Sequence, residues 1–131
     1  MGLSVLLDTH VVLWAFSRPG SLSSTARVLL EDAQTDLLVS AVSAWEITTK
    51  YRLGKLPGAE PIVLGYAAHL ATLGARELPI TSAHALSAGL FAAEHRDPFD
   101  RMLAAQAIAE GLPLVTADPV MAVFAGLLTR W

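Results

Sequence analysis

The segment Leu3-Ser4-Val5-Leu6-Leu7-Asp8 opens the chain with a short aliphatic run that stops at a carboxylate. A run of this kind is typical of a strand buried on both faces of a parallel sheet. Residues 9–16 follow directly and carry apolar side chains at helical spacing. The sequence therefore predicts a strand and a helix that meet at Asp8, with the carboxylate presented at the C-terminal end of the strand.

The same alternation of aliphatic runs and helical patterns continues to the end of the chain. Predicted strands occupy residues 3–7, 37–39, 77–80, 112–116 and, at a sheet edge, 127–131. Predicted helices occupy residues 9–16, 24–33, 43–53, 61–73, 83–93 and 98–110. Strands that alternate with helices imply an α/β fold, with a mainly parallel sheet of four to five strands covered on both faces. Because the chain has no linker or repeat, we expect residues 1–131 to form a single domain.

The composition limits the classes of function. Hydrophobic residues make up 53% of the chain and charged residues 16%, so either the core is unusually aliphatic or part of the surface meets a partner. No apolar run approaches the roughly 18 residues that span a bilayer, and the start does not resemble a signal peptide, so we expect a cytoplasmic protein. The lack of cysteine excludes disulfides and thiolate metal sites. A net charge of -3 argues against tight, non-specific nucleic-acid binding, but not against an enzyme with a local basic patch and a metal ion.

The segment His95-Arg96-Asp97-Pro98-Phe99-Asp100-Arg101 concentrates two carboxylates and three potentially cationic groups. Asp97 is the predicted N-cap of the helix that follows, and Pro98 is its first residue. Asp100 then lies in the first turn, at the positive end of the helix dipole and in line with small apolar residues. A carboxylate with limited access to water needs a partner, which can be a divalent cation, Arg101 or the backbone.

Four acidic residues occupy positions that a parallel sheet brings to one edge. Asp8 follows the first strand, Glu46 opens the helix after the second, Asp100 opens the helix before the fourth, and Asp118 follows the fourth. Right-handed crossovers place the C-terminal ends of parallel strands together, where ligands bind in open α/β sheets. Carboxylates brought together without a cation repel one another, and a cluster of oxygen ligands without sulfur suits Mg²⁺ or Mn²⁺.

Each of these acids also has a purely structural interpretation. The two that follow strands can be plain N-caps, and Asp100 can be a partner of the helix dipole. Glu46 can close a capping box with Ser43, which would start the helix there, or pair with Lys50 one turn later. Only their joint placement favours the metal site over these alternatives.

Basic residues are densest at Lys50, Arg52 and Lys55, and together with Arg96 and Arg101 they can line a groove for phosphates. The alternative is a solvated helix end with cations near its C-terminus.

The histidines and aromatic residues are weaker signals. We interpret His69 and His84 as structural, and His10 and His95 as positioning groups near the site, since no zinc-ligand spacing occurs. The aromatic residues Trp14, Trp45 and Phe16 are assigned to the core.

Four motifs, taken in order, resemble the PIN-domain ribonucleases, and specifically the VapC-type toxins of prokaryotic toxin-antitoxin modules. They are Leu6-Leu7-Asp8-Thr9-His10, Ser43-Ala44-Trp45-Glu46-Ile47, Arg96-Asp97-Pro98-Phe99-Asp100-Arg101 and Val115-Thr116-Ala117-Asp118. The resemblance spans nearly the whole chain. It implies a three-layer α/β/α sandwich, Mg²⁺ or Mn²⁺ as cofactor, structured RNA such as transfer or ribosomal RNA as substrate, a homodimer, and a cognate antitoxin whose tail covers the site.

The resemblance also implies roles for individual residues. The metal-binding and catalytic residues are those that match the family's acids, namely Asp8, Glu46, Asp100 and Asp118. Supporting roles fall to Thr9, Asp97 and Thr116. Many members carry asparagine where this chain has His10.

Three hypotheses of function follow from the residues. The first is a metal-dependent endoribonuclease in which Asp8 and Asp100 are the principal metal ligands. The second is a catalytically silent module whose apolar surface binds a protein partner. A phosphatase that works through a phospho-aspartate is weaker, because that chemistry usually needs a second acid two residues after the first, where His10 stands.

Overall fold

The structure, a computed structural model, describes residues 2–131 and contains a five-stranded sheet with helices packed on both faces. The strands are β1 (Ser4–Leu7), β2 (Asp36–Ser40), β3 (Ala75–Leu78), β4 (Leu114–Val115) and β5 (Thr129–Arg130). All neighbouring strands are parallel, and their order across the sheet is β3-β2-β1-β4-β5. The three-layer α/β/α architecture predicted for this chain is confirmed, including its short edge strand.

Seven α-helices and two 3₁₀ turns connect these strands. The helices are α1 (Thr9–Ser17), α2 (Ser24–Glu31), α3 (Ala41–Arg52), α4 (Glu60–Leu64), α5 (Tyr66–Leu73), α6 (Ser82–Leu90) and α7 (Pro98–Glu110). The 3₁₀ turns are Pro19–Ser21 and Pro119–Val123. No helix within residues 2–131 is long and apolar enough to cross a bilayer.

Helix α3 begins at Ala41, so the predicted start at Ser43 with a capping box to Glu46 is wrong. Ser40 is the N-cap, because its side chain accepts a hydrogen bond of 3.0 Å from the Val42 N–H. The Ser43 hydroxyl instead lies 2.9 Å from that of Thr9, in the buried contact between α3 and α1. The S-x-x-E pattern therefore does not mark the start of this helix, because the Ser43 side chain contacts Thr9 instead of capping the helix.

Several other helix boundaries differ from the prediction, including the end of α2 at Glu31 rather than at residue 33. The helix predicted over residues 61–73 is divided at Gly65, whose backbone leaves helical geometry and whose carbonyl accepts from the His69 ring at 2.8 Å. Glycine is a poor helix former, which makes it a natural place for the break. Helix α6 is capped by Thr81, begins at Ser82 rather than at residue 83, and ends at Leu90 rather than at residue 93.

The core consists of two apolar clusters, one on each face of the sheet. Neighbouring residues of a strand point to opposite faces. Val5 and Leu7 accordingly join a cluster with α1, α2 and α5, whereas Leu6 packs against α7. All three side chains are fully buried, and burial of each is worth about 1.5–3 kcal/mol. This double coverage explains why β1 reads as a continuous aliphatic run.

The strand order determines where a ligand can bind. Chain connections proceed in one direction from β1 through β2 to β3, and in the other direction from β4 to β5. The boundary between these two halves lies between β1 and β4, and in open α/β sheets the crevice at such a boundary is the usual binding site. Asp8 and Thr116 follow these two strands directly.

The buried hydrogen bonds of Gln106 give a prediction about the stability of this fold. It is fully buried on α7, where its side chain accepts from the Ser40 hydroxyl and donates to the Pro79 carbonyl at 3.2 Å. We expect Gln106→Ala to lower the free energy of unfolding by about 3 kcal/mol, because it opens a cavity and leaves both partners unpaired. Urea denaturation measures this loss. The exposed Gln34→Ala serves as control, and equal stability of the two variants would contradict the prediction.

Candidate active site

Five carboxylates line one cavity of about 290 Å³ at the C-terminal edge of the sheet. They are Asp8, Glu46, Asp97, Asp100 and Asp118. The chain supplies them from the β1–α1 junction, from α3, from the start of α7 and from the turn after β4. Parallel topology thus places side chains far apart in sequence on one concave surface.

Asp8 is the most tightly held of these acids. It is the N-cap of α1 and only 4% exposed. One carboxylate oxygen accepts from the Thr9 N–H at 2.7 Å, and the other accepts from the Thr116 hydroxyl at 2.7 Å. Burial raises the pKa of Asp8, and the charge of Glu46 adds to this, while His10 and the two hydrogen bonds oppose it. The environment therefore disfavours a bare carboxylate here and would favour one that binds a cation.

Glu46 is buried on α3 and carries an oxygen with no partner. Lys50, one helical turn later, donates to its Oε2. Its Oε1 is buried and has no hydrogen-bond partner among residues 2–131. An unpaired buried acceptor costs about 1–3 kcal/mol, and more when it is charged. A cation in the cavity would satisfy this oxygen.

Among residues 2–131, Lys50 is the one ammonium group on the cavity wall. Burial disfavours its charged form, but the hydrogen bond to Glu46 and the charges of Glu46, Asp97 and Asp100 outweigh burial and raise its pKa. Lys50 therefore stays protonated and neutralises one of the five carboxylates.

Asp100 lies in the first turn of α7, where the N-cap Asp97 fixes the backbone. Asp97 Oδ1 accepts from the Phe99 N–H at 2.9 Å and from the Asp100 N–H at 3.4 Å. Asp100 Oδ2 is 2.7 Å from His95 Nε2. Burial raises the pKa of Asp100 to about 6, the His95 hydrogen bond opposes this, and the charges of the neighbouring acids add to it.

His10 connects Asp8 to the segment that carries Asp118. Its Nε2 accepts from the Ala117 N–H at 3.0 Å, so in the neutral ring the proton is on Nδ1, which lies 3.6 Å from Asp8 Oδ2. The Asp118 N–H in turn donates to the Thr116 hydroxyl at 3.1 Å. His10 and His95 lie near the acids, as predicted. His10 accepts a hydrogen bond from the Ala117 N–H, and His95 is hydrogen-bonded to Asp100.

The donor set of the cavity suits a hard divalent cation. Its ligands are carboxylate oxygens without sulfur, which is the chemistry of Mg²⁺ and Mn²⁺ sites. As the side chains lie, no three acidic or histidine groups of residues 2–131 are close enough to share an ion, and Lys50 and His95 hold two of the acids. Binding of an ion would therefore require side-chain adjustment by Asp8, Glu46, Asp100 and Asp118.

The predicted basic residues divide into separate groups. Lys50 lines the cavity, whereas Arg52 and Arg96 are exposed beyond its wall. Arg101 is half-buried, and its guanidinium donates to backbone carbonyls in the last turn of α6 and in the loop that follows it. These carbonyls belong to Ala88, Gly89, Phe91, Ala93 and His95, at 2.8–3.4 Å. We therefore correct the assignment of Arg101 from a phosphate contact to a clamp that holds the loop preceding Asp97.

The aromatic residues assigned to the core do not all lie there. Phe16 packs against the apolar cluster beneath α1 as expected, and Trp14 also lines the acidic cavity. Trp45 is 60% exposed and rests edge-on against Phe99 at 4.9 Å, so its assignment to the core was wrong. Leu13 and Leu56 also line the cavity, and sequence reasoning missed them because helical spacing does not separate a core face from a cavity wall.

Comparison with known proteins identifies the family. The sequence profile of the PIN domain matches residues 5–127. Ribonuclease VapC22 of Mycobacterium tuberculosis is 33% identical over 118 residues, which cover 88% of this chain and 87% of that protein. This chain belongs to the PIN-domain family and is of the VapC type. Ribonuclease VapC16 of the same organism is 40% identical over 58 residues, which cover 44% of this chain and only 41% of that protein.

Solved structures similar to this VapC-type chain agree on the fold. VapBC2 from Rickettsia felis, bound to a DNA fragment from its promoter, has a TM-score of 0.72 at 16% identity and covers 98% of both chains. DNA-bound VapBC from Salmonella typhimurium has a TM-score of 0.70 at 19% identity and covers 99% of this chain and 98% of that chain. At these identities the similarity concerns architecture alone.

The raised pKa of Asp100 predicts how stability depends on pH. Between the ordinary value of 3.8 and the folded value of about 6, the folded state binds more protons, so stability falls as pH rises through about 6. Asp100→Asn removes this cost and, allowing for solvent screening, should raise the free energy of unfolding by about 1 kcal/mol near pH 7.5 and by little near pH 4.5. Urea denaturation in EDTA at both pH values measures the difference. The exposed Glu31→Gln is the control, and a gain that is equal at both pH values would contradict the assignment.

Proposed function

We propose that this protein is a metal-dependent endoribonuclease, the toxin of a type II toxin-antitoxin system, which hydrolyses phosphodiester bonds in structured RNA such as transfer or ribosomal RNA. The observation that carries the proposal is the shared acidic cavity, in which buried Glu46 presents an oxygen without a partner. The ribonuclease name of VapC22, which aligns over most of both chains, supports the activity.

Asp8, Asp100, Glu46 and Asp118 would hold the Mg²⁺ or Mn²⁺ ion, directly or through water. When bound, the ion would supply Lewis-acid polarisation of the scissile phosphate and a more acidic water. The protein positions these ligands through a second layer of hydrogen bonds, with Thr9 and Thr116 on Asp8 and the Asp97 cap beneath Asp100. Such layers orient ligands and affect metal affinity.

Other side chains in and around the cavity can transfer protons or bind phosphate during hydrolysis. Asp100 Oδ2 and His95 Nε2 are 2.7 Å apart and can share a proton taken from the attacking water. The Lys50 ammonium, on the same wall, would attract the phosphate and offset the negative potential of the acids. The exposed Arg52 and Arg96 would contact phosphates farther from the cleaved bond.

A protein partner would silence this activity. VapBC-5 from Mycobacterium tuberculosis, a solved structural neighbour, is a member of the VapBC family of toxin-antitoxin systems, and we propose a cognate antitoxin and a homodimer for this chain as well. Large exposed apolar side chains support partner surfaces, notably Leu64, Leu86 and Leu90, which are 77%, 67% and 82% exposed. The alternative of a silent binding module rests on the same side chains and predicts no divalent-ion binding.

The proposed ligands predict a loss of activity without a loss of folding. Asp8→Asn and Asp100→Asn should each slow cleavage at least about a hundredfold, because each removes a charged oxygen ligand. The assay incubates the purified protein with total cellular RNA, with and without Mg²⁺, and maps the new 5′ ends. Glu31→Gln controls for the loss of one surface acid, and circular dichroism checks folding. Wild-type rates in either site variant would sink the assignment.

Removal of the Lys50 charge should strengthen metal binding, whereas removal of a ligand such as Asp8 should weaken it. Because its ammonium pairs with Glu46 and lies in the field of Asp97 and Asp100, it competes with any second cation. Lys50→Gln should therefore bind Mn²⁺ about fivefold to tenfold more tightly in calorimetry, while Asp8→Asn binds it more weakly. Unchanged affinity in Lys50→Gln would show that the ion does not use Glu46, and no Mn²⁺ binding to the wild type would favour the silent module.

A further inference from the structure

A second cavity of about 330 Å³ adjoins the acidic one. It lies between the C-terminal half of α1 and the loop that joins α3 to α4, and it contains none of the five acids. Leu13, Trp14 and Leu56 line both cavities and form the wall between them. A chain molecule bound across the acids can therefore continue into the second cavity.

The lining of this second cavity combines apolar walls with two cations. Trp14, Leu56 and Pro57 supply apolar surface, while Arg18 and Lys55 supply positive charge. Neither side chain has an ion pair or a hydrogen bond to another residue within 2–131, whereas Arg76 and Lys50 pair with acids and Arg101 holds carbonyls. The two cations are thus available to an external anion.

Charge separates the two cavities. The acidic cavity opposes five carboxylates with a single ammonium and repels a polyanion unless a cation is added. The second cavity has no acid on its wall, so it is the place next to the site where a phosphodiester chain gains counter-charge. Apolar and aromatic walls beside cations are also what a nucleotide needs, since its base stacks and its phosphate pairs.

We infer that this second cavity, lined by Trp14, Leu56, Arg18 and Lys55, is a nucleotide subsite that receives the residue of single-stranded RNA next to the scissile phosphate. The base lies against Trp14 and Leu56, while Arg18 and Lys55 each pair with a phosphate of the chain. The inference deepens the proposed ribonuclease function and rests on it. It also explains how a chain of net charge -3 holds RNA, because the needed positive charge is local.

The test measures binding with cleavage switched off, so that it does not depend on turnover. A fluorescent oligouridylate is titrated with the full-length protein at several KCl concentrations in Ca²⁺ instead of Mg²⁺, so that an oxygen-binding cation offsets the charge of the acids. Arg18→Gln and Lys55→Gln should each weaken binding and reduce the slope of log affinity against log salt by about 0.7, the loss of one phosphate contact. Arg76→Gln removes the same charge beside Asp36, at the N-terminal end of the strands, and should leave the slope unchanged.

The base contact is tested with two small competitors. Uridine 5′-monophosphate should displace the oligouridylate at least about tenfold better than ribose 5-phosphate, because only the nucleotide carries a base to stack. Equal slopes in all four proteins, equal competition by the two phosphates, or no oligouridylate binding by the wild type would each overturn the subsite. So would variants that bind RNA normally but lose affinity for the antitoxin, because the cavity would then belong to the protein partner.

The outcomes also separate this inference from the proposed function. A wild type that binds the oligouridylate as predicted but never cuts RNA would refute the ribonuclease and retain a nucleotide-binding cavity. A wild type that cuts RNA while Arg18→Gln and Lys55→Gln behave like Arg76→Gln would refute the subsite alone.

Discussion

Repulsion among five carboxylates in one cavity, with a single ammonium group among them, is the constraint on which the site depends. Burial raises the pKa values of Asp8 and Asp100, and the charges of neighbouring acids add to this effect, so the cavity favours either protonated carboxyl groups or an added cation. The protein bears this cost because two apolar clusters hold the sheet rigid beneath the acids. The core thus stabilises the folded state, while the acids at the sheet edge destabilise it. Binding of a cation there would stabilise the folded state again.

The hydrogen bonds around the acids show how the fold sets their geometry. Thr116 joins the ends of β1 and β4 by donating to Asp8 and accepting from the Asp118 N–H. Arg101 on α7 has a similar role, because its five N–H groups donate to carbonyls of the last turn of α6 and the following loop, including that of His95, whose ring lies 2.7 Å from Asp100. Thr116 and Arg101 are polar residues that orient neighbouring groups of the site through hydrogen bonds.

In the proposed function, the acidic cavity and the second cavity would have complementary roles in binding RNA. One concentrates negative charge and would need an ion, whereas the other offers two cations and an apolar wall. A nuclease requires both features, because a metal site alone repels its polyanionic substrate and a basic groove alone does not hydrolyse it. The exposed leucines on α4 and α6 lie apart from both cavity walls, which leaves those faces available for protein partners.

Much of this protein was determined by the sequence itself. Local signals of burial and capping specify the strands, the helices and the edge where the acids meet. They include the aliphatic runs that end at Asp8 and near Asp118, and the helix start at Asp97-Pro98. Only the tertiary structure decided which partner each polar group takes. Ser43 contacts Thr9 instead of capping a helix, and Arg101 donates to backbone carbonyls. The Trp45 side chain is exposed to solvent. Such choices depend on neighbours that are distant along the chain, and no local pattern encodes them.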